Sequence, residues 1–321
     1  MKTYYKPGRV IISLLTCLLI SACSPPPKTP LRVGTTTWLG YESLYVARQL
    51  NYVNADSIHL VELPSATSVS HAFQTGNLEA AALTLDEVLG LLQSNVKLKI
   101  VLILDTSNGA DALLGQSDMK SLAELKGRHI GYENTAVGAL LLHAALVKAG
   151  LEPSDVTLEP IPYSQHREHF VTRAVDAVVT FEPIRTQLLS EGAVSLFDSS
   201  QVPGRIVDVL VVSEAAAEKY APEIKHLIEA HFKALSFFHQ NPEEAARLMV
   251  PHLNINTDEI LNSFKGLQLT DLSQNKAQLL PRPPPLQTTA SNLAQLMLDN
   301  QLLQRRPILD NAFTGEFLPE E

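Results

Sequence analysis

Short apolar runs alternate along the chain with segments whose apolar residues recur at helical spacing. The runs LRVGTT at 31–36, IHLVELP at 58–64 and LKIVLILDTS at 98–107 predict strands. The segments YESLYVARQL at 41–50 and DEVLGLLQS at 86–94 predict helices. Because strands separated by helices favour parallel sheets, this part of the chain predicts an α/β fold.

The same alternation continues to the end of the chain. RHIGYE at 128–133 and DVTLEPIP at 155–162 predict strands on either side of the apolar helix TAVGALLLHAALVKAG at 135–150. The segment RIVDVLVVSEAAAEKY at 205–220 predicts a strand that runs into a helix. The other predicted elements are a short helix SLAELKG at 121–127, a helical region at 221–253, a loop PRPPPLQ at 281–287 and a last helix TASNLAQLMLDNQLL at 289–303.

One segment is echoed later in the chain. FQTGNLEAAALT at 73–84 resembles FVTRAVDAVVTF at 170–181, with an offset of 97 residues. In each copy a helix ends, an acidic residue follows, and a small apolar strand leads to a polar cluster, TLDE at 84–87 or TFEP at 180–183. We interpret the echo as two lobes built on similar βαβ units, with both clusters at strand ends where open α/β sheets bind ligands.

The N-terminus has the features of an export signal. Lys2, Lys6 and Arg9 precede the apolar stretch Val10 to Ile20, which is too short to span a bilayer, and ISAC follows. We therefore predict a signal peptide over residues 1–22. The cysteine after the small pair resembles the lipobox of bacterial lipoproteins, which implies lipidation of Cys23; a plain signal peptide and an uncleaved anchor are the alternatives. The Pro-rich residues 23–30 predict a stiff spacer.

Processing changes the charge and the cysteine content. Removal of three basic residues changes the formal net charge from −9 to −12, which argues against nucleic acid or a polybasic membrane contact as a partner. Cys17 is lost with the signal, so the mature chain has no pair of cysteines for a disulfide within it. We expect a monomer on the periplasmic side of a bacterial membrane, and Ser24 favours the outer membrane.

Several of these pieces in order resemble one family. LKGRHIG, LEPSDVTLEPI and VDAVVTFEP, together with TTTWLGYESLYVARQL and AFQTGNLEAAALT, are similar to the nitrate, sulfonate, taurine and thiamine-pyrimidine group of ABC-transporter solute-binding proteins, over about residues 31–275. The resemblance implies a type II periplasmic-binding-protein fold with two α/β lobes, a ligand cleft between them and two hinge crossings. The crossings are expected near Asp105 to Ala110 and Val202 to Val207, with lobe 1 from 31–108 and 206–321 and lobe 2 from 109–205.

The resemblance also implies a function. A lipid-anchored protein of this group captures a small organic solute and delivers it to an ABC permease. The alternative is a ligand-sensing lipoprotein that signals to a membrane sensor kinase or cyclase, because the same cleft serves both.

The turn between the first strand and its helix is the first candidate for ligand contact. It contains Trp38, the only tryptophan, with Tyr41 and Glu42, and aromatic faces beside free helix N–H groups suit a ligand. Core packing is the alternative for Trp38, and helix capping is the alternative for several other candidates. The other candidates, all expected at turns around the cleft, are Ser65, Thr67, Thr84, Asp86, Glu133, Asn134, Thr135, Thr180, Glu182 and Asp198.

The acidic residues of this set predict the ligand charge. Glu42, Asp86, Glu133 and Glu182 would repel a bare anion and favour an amine or a ring N–H, while Trp38 supplies an aromatic face. We therefore expect a nitrogen-bearing organic ligand, such as a pyrimidine-like compound, an amine or a zwitterion, rather than an inorganic anion.

An enzyme is the main competing class. The chain has no GxSxG, P-loop or HExxH motif, and it has no cysteine-rich segment like that of the pyrimidine-forming relatives. HREH at 166–169 places two histidines three residues apart, which suits either a metal pair or a solvated helix face, and we favour the solvated face. We expect no catalytic residue, cofactor or metal.

Overall fold

The computed structural model of the protein describes residues 1–2, 29–134 and 136–320. Cys23, Ser24, Thr135 and nearly all of the predicted signal peptide lie outside the described residues. The described strands are β1 (Leu31–Thr35), β2 (Ile58–Glu62), β3 (Ala80–Thr84), β4 (Leu98–Ser107), β5 (Asp111–Gly115), β6 (His129–Tyr132), β7 (Thr157–Pro160), β8 (Ala177–Phe181), β9 (Val194–Asp198), β10 (Val207–Ser213) and β11 (Leu267–Leu269).

The strands form two separate sheets, and each sheet is the centre of one lobe. The sheet of lobe 1 has six strands in the order β11-β4-β10-β3-β1-β2, and that of lobe 2 has five in the order β7-β6-β8-β5-β9. The chain passes from lobe 1 to lobe 2 between β4 and β5 and returns between β9 and β10. The predicted two-lobed α/β fold is confirmed.

Helices cover both faces of each sheet. They are α1 (Glu42–Gln49), α2 (Ala66–Gln74), α3 (Leu85–Gln93), α4 (Ala136–Ala149), α5 (His166–Val171), α6 (Ile184–Ser190), α7 (Glu214–Lys219), α8 (Ala221–Gln240), α9 (Pro242–Leu253), α10 (Thr257–Ser263), α11 (Leu272–Leu279) and α12 (Pro285–Asp299). None of these described helices combines the length and the apolar character that a bilayer crossing requires.

The packing of lobe 1 explains why the sequence of β10 is apolar at successive positions. Val209 and Val211 pack on the side of the sheet that α2, α3 and α12 cover, whereas Leu210 and Val212 pack on the side of α1 and α8. Successive side chains of a strand point to opposite faces, so a strand covered on both faces is apolar at every position. An acidic residue inside such a run therefore requires a special reason.

The prediction of parallel sheets is only partly correct. β1 pairs in parallel with β2 and β3, and β6 pairs in parallel with β7 and β8. However, β10 is antiparallel to β3 and β4, and β5 is antiparallel to β8 and β9. These strands adjoin the crossings, so they enter their sheets from the other lobe rather than through a crossover helix within the same lobe.

Smaller differences concern short elements. Strands β5, β9 and β11 were not predicted. SLAELKG contains a 3-10 turn over Leu122–Leu125 rather than an α-helix, and α12 begins inside the predicted loop because Pro285 occupies its first position. The two similar segments, 73–84 and 170–181, have equivalent positions in the two lobes. In lobe 1 α2 leads to β3, and in lobe 2 α5 leads to β8.

Candidate functional site

A cavity lies between the two lobes at the ends of β3, β8 and β10. Its volume is about 50 Å³, so the lobes leave narrow room for a small molecule. Both lobes contribute to the lining, which consists of Thr36, Trp38, Tyr41, Ala66, Thr84, Glu87, Asp111, Glu133, Val137, Gly138, His166, Val179, Thr180, Phe181, Ile206 and Asp208.

The cavity lining contains four carboxylate side chains. Glu87 and Asp208 face the cavity from lobe 1, and Asp111 and Glu133 face it from lobe 2. Among the described lining residues there is no lysine or arginine. Uncompensated buried carboxylates are costly, so a positively charged group or an N–H donor is the partner that this site lacks.

Asp208 lines the cavity, and Asp105 lies next to it on the neighbouring strand, beside two aromatic donors. The Tyr41 hydroxyl donates to Asp208 Oδ1 at 2.6 Å, and the Trp38 indole N–H donates to Asp105 Oδ2 at 3.3 Å. Burial, followed by the neighbouring carboxylates, raises the pKa of Asp208 well above its ordinary value, and burial raises the pKa of Asp105 to about 8. Within the described part of the chain, Asp208 Oδ2 and Asp105 Oδ1 have no hydrogen-bond partner.

Asp111 connects the cavity to the hinge. Its backbone N–H donates to Ser107 Oγ at 3.2 Å, and Ser107 Oγ lies 2.7 Å from Ser199 Oγ. Ser199 Oγ in turn accepts from the Gly109 N–H at 2.6 Å, so these side chains tie the outward crossing to the returning chain. Burial raises the pKa of Asp111 to about 7, and its Oδ2 accepts no hydrogen bond from any described group.

Glu87 and Glu133 form a second acidic part of the lining. The Thr84 N–H donates to Glu87 Oε2 at 3.1 Å, and the Thr67 N–H lies 3.5 Å from Glu133 Oε1. Burial raises the pKa of both carboxyl groups, and repulsion by Asp86 and then by Glu133 adds to the increase for Glu87. Helix N-termini thus hold these carboxylates in place.

An aromatic wall closes the other side of the cavity. Phe181 stacks on Tyr163 with ring centroids 4.0 Å apart, and its ring meets the Trp38 ring edge-on at 5.5 Å. Because Trp38 belongs to lobe 1 and Phe181 to lobe 2, this contact joins the lobes. Such a wall suits a flat ring or the apolar part of an amine.

His166 is a neutral hydrogen-bonding residue in this wall. Its Nε2 lies 3.2 Å from the Ile161 carbonyl, to which it donates, and its Nδ1 lies 3.1 Å from Thr180 Oγ1. Burial lowers the pKa of His166 to about 4, so the ring adds no positive charge at neutral pH. The prediction of a solvated face for HREH is wrong for His166, which is 1% exposed.

The structure brings together five of the predicted site residues. Trp38, Tyr41, Thr84, Glu133 and Thr180 all line the cavity. The other described candidates do not line it: Glu42, Ser65, Thr67, Asp86, Asn134, Glu182 and Asp198.

Glu42 was expected at the cleft but faces the opposite side of its turn. Its carboxylate contacts His252 Nδ1 of α9, and His252 Nε2 contacts Glu62 at 2.7 Å. Burial lowers the pKa of His252, but its hydrogen bonds with Glu42 and Glu62 outweigh this effect and raise the pKa to about 9. His252 therefore attaches α9 to α1 through Glu42 and to β2 through Glu62.

The remaining displaced candidates have local roles. The side chains of Ser65 and Asp198 accept from Ser68 N–H and Ser200 N–H, so capping explains both. Thr67 offers the cleft only its backbone N–H. Glu182 pairs with Arg185 at 2.9 Å and accepts from the Thr186 N–H. Asp86 is buried beside the neighbouring groove between α2, α3 and the residues after α12, whereas Asn134 is exposed near Tyr132.

Sequence reasoning missed Glu87, Asp105, Asp111, His166, Phe181 and Asp208. A signal existed for two of them, because Asp105 and Asp208 interrupt otherwise apolar strands. The described residues contain no group of three or more His, Cys, Asp or Glu side chains arranged to hold a metal ion.

Comparison with known proteins connects this geometry to a family. The model of the NMT1-like family matches residues 24–251. A protein of Brucella abortus (strain 2308), whose name describes it only as a binding protein, is 27% identical over 184 residues, which cover 56% of this chain and 57% of that protein. The match thus spans little more than half the length of this curated relative.

Two solved structures share the fold. The alkanesulfonate-binding protein SsuA from Xanthomonas axonopodis pv. citri, bound to MOPS, has a TM-score of 0.74 and 18% identity, over 90% of this chain and 99% of that chain. The desulfurization enzyme DSZB has a TM-score of 0.65 and 18% identity, over 89% of this chain and 97% of that chain. At this identity the likeness concerns the fold, which occurs in both a binding protein and an enzyme.

Proposed function

This chain belongs to the NMT1-like family, and on that premise we propose that it is an ABC-type substrate-binding protein for a small nitrogen-bearing organic compound. The compound binds between the lobes, and the lobes close on it by a hinge motion. The protein then delivers it to an ABC permease from the periplasmic side of the membrane.

One observation carries the proposed ligand class. Asp111 from lobe 2 and Asp208 from lobe 1 line the same cavity, and each has a carboxylate oxygen without a partner among the described residues. A ligand N–H placed between them forms charge-assisted hydrogen bonds with both lobes and thereby favours the closed form. An anion at this position is repelled by two carboxylates instead.

The aromatic wall supports the organic part of the proposal. Trp38, Tyr41 and Phe181 line the cavity together with Val179, so an apolar or aromatic body can be buried beside the charged group. The lining thus combines an apolar surface with a few polar groups that fix the orientation of the ligand.

Matched probes test the ligand class. We expect benzylamine to bind saturably at pH 8, 4-aminopyrimidine to bind through its N–H groups, and benzenesulfonate to bind at least tenfold more weakly than benzylamine. Isothermal titration calorimetry measures the affinities, and the emission of Trp38 provides a second readout. A preference for benzenesulfonate over both nitrogen compounds contradicts the proposed ligand class.

Attachment to the membrane is part of the same proposal. The supporting features are the small residues before Cys23 and the Pro-rich spacer at 23–30, which holds the lobes away from the bilayer. We expect the Cys23→Ser variant to move from the membrane pellet to the soluble periplasmic fraction. Immunoblots of fractionated cells measure this, with Ser24→Ala as the matched control, and a variant that stays in the pellet argues against the lipid anchor.

A further inference from the structure

Two buried aspartates stand opposite each other on adjacent strands of lobe 1. Asp105 of β4 and Asp208 of β10 are register partners, with 0% and 2% exposure. Side chains at directly opposed positions have Cβ atoms about 5 Å apart, which brings the two carboxyl groups close enough to repel each other when both are ionised. Two adjacent buried carboxylates cannot both keep their charge at low cost, so one of them holds a proton.

The hydrogen bonds around the two residues leave a place for that proton. Trp38 donates to Asp105 Oδ2 and Tyr41 donates to Asp208 Oδ1, so each carboxyl group has one oxygen held by an aromatic donor. The other oxygen of each group receives no hydrogen bond from the described chain. A proton between the two carboxyl groups supplies the missing hydrogen bond.

Gly40 shows that the chain keeps space for this arrangement. A Cβ atom at Gly40 would lie 1.7 Å from Asp105 Oδ2 and 2.6 Å from Trp38 Nε1. The missing side chain therefore lets the Asp105 carboxyl group lie against the turn that holds Trp38 and accept the indole N–H.

We propose that Asp105 and Asp208 share one proton in the empty protein, and that a cationic ligand expels this proton to solvent when it binds at Asp208. This inference rests on the proposed ligand class. Asp208 lines the cavity and Asp105 does not, so Asp105 is a positioning residue that acts through Asp208 and Trp38. The other titratable groups near the pair are Asp111 of β5, Glu87 of α3 and Tyr41. The carboxylates of Asp111 and Glu87 favour the shared proton, whereas the hydrogen bond from Tyr41 opposes it.

The single tryptophan allows a test without any ligand. Because Trp38 donates to Asp105, its emission should follow the titration of the pair, and we expect a sigmoidal change between pH 6 and pH 10 in the ligand-free protein. Asp105→Asn should abolish the change. Asp208→Asn removes the like charge and should lower the midpoint by at least one pH unit. An unchanged midpoint in Asp208→Asn overturns the shared proton.

Proton release on benzylamine binding is measured by isothermal titration calorimetry at pH 7. The titrations are run in phosphate and in Tris, because the two buffers have different heats of ionisation. We expect release of about one proton in the wild type and less than half of that in Asp105→Asn. Binding without proton release overturns the exchange. If benzylamine does not bind but the emission midpoints shift as described, the shared proton is supported and the proposed ligand class is overturned.

Discussion

Replacing Asp111 with Asn is expected to weaken benzylamine binding at least tenfold at pH 8. The Asp111 carboxylate is buried, lines the cavity and has an oxygen without a partner among the described residues, so a bound ammonium group gains a charge-assisted hydrogen bond there. Asn keeps the shape of the side chain and its backbone hydrogen bond with Ser107, but it removes the charge. The tenfold loss corresponds to about 1.4 kcal/mol, and calorimetry measures it directly.

Two variants are controls for this experiment. Glu42→Gln removes a buried carboxylate that contacts His252 rather than the cavity, so it should lower the melting temperature but change benzylamine affinity less than twofold. Asp198→Asn alters a capping residue outside the cavity and should also leave the affinity within twofold. Equal losses of affinity in all three variants, or no loss in Asp111→Asn, contradict the assignment of Asp111 as a ligand contact.

The sequence was sufficient to find the parts of the site that depend on local structure. Thr84 and Thr180 were predicted because each follows a small apolar strand, and both lie at the cavity. Trp38 and Tyr41 were predicted from the turn that follows β1, and they also line it. In each case a strand end and a following helix determine the position, and both can be recognised from a few neighbouring residues.

The acidic part of the site depends on contacts between distant segments. Asp208 meets Asp105 only because β10 inserts antiparallel between β3 and β4, and the sequence predicted parallel sheets. Glu42, in contrast, was predicted at the cavity and does not line it. It follows Tyr41 directly, yet its carboxylate is buried against His252, a residue 210 positions away that no local pattern connects to it.

The ligand-free protein is expected to lose stability as the pH rises from 6.5 to 8.5. Burial raises the pKa of Asp111 to about 7 and that of Asp105 to about 8, whereas an unfolded aspartate titrates near pH 4. Between these values the folded protein binds more protons than the unfolded chain, so the free energy of unfolding falls with increasing pH. A loss of at least about 1 kcal/mol lowers the melting temperature by about 2 °C or more.

Other groups with shifted pKa values also affect stability in this window, and the raised pKa values of Asp208 and Glu87 act in the same direction. Burial lowers the pKa of His166 to about 4 and that of His231 to about 3, so their opposite contribution ends within about the first pH unit of the window, because an unfolded histidine titrates near 6.5. The ion pairs of His252 hold its pKa at about 9, above that of an unfolded histidine, so its stabilising contribution also decreases as the pH rises through the window. Differential scanning calorimetry should therefore show a decrease in the wild type and a smaller decrease in Asp105→Asn, which removes one titrating carboxyl group and the charge opposite Asp208. Decreases of equal size in the wild type and in Asp105→Asn would mean that Asp105 is already ionised at pH 6.5, and that the ligand-free protein needs no proton there to tolerate it.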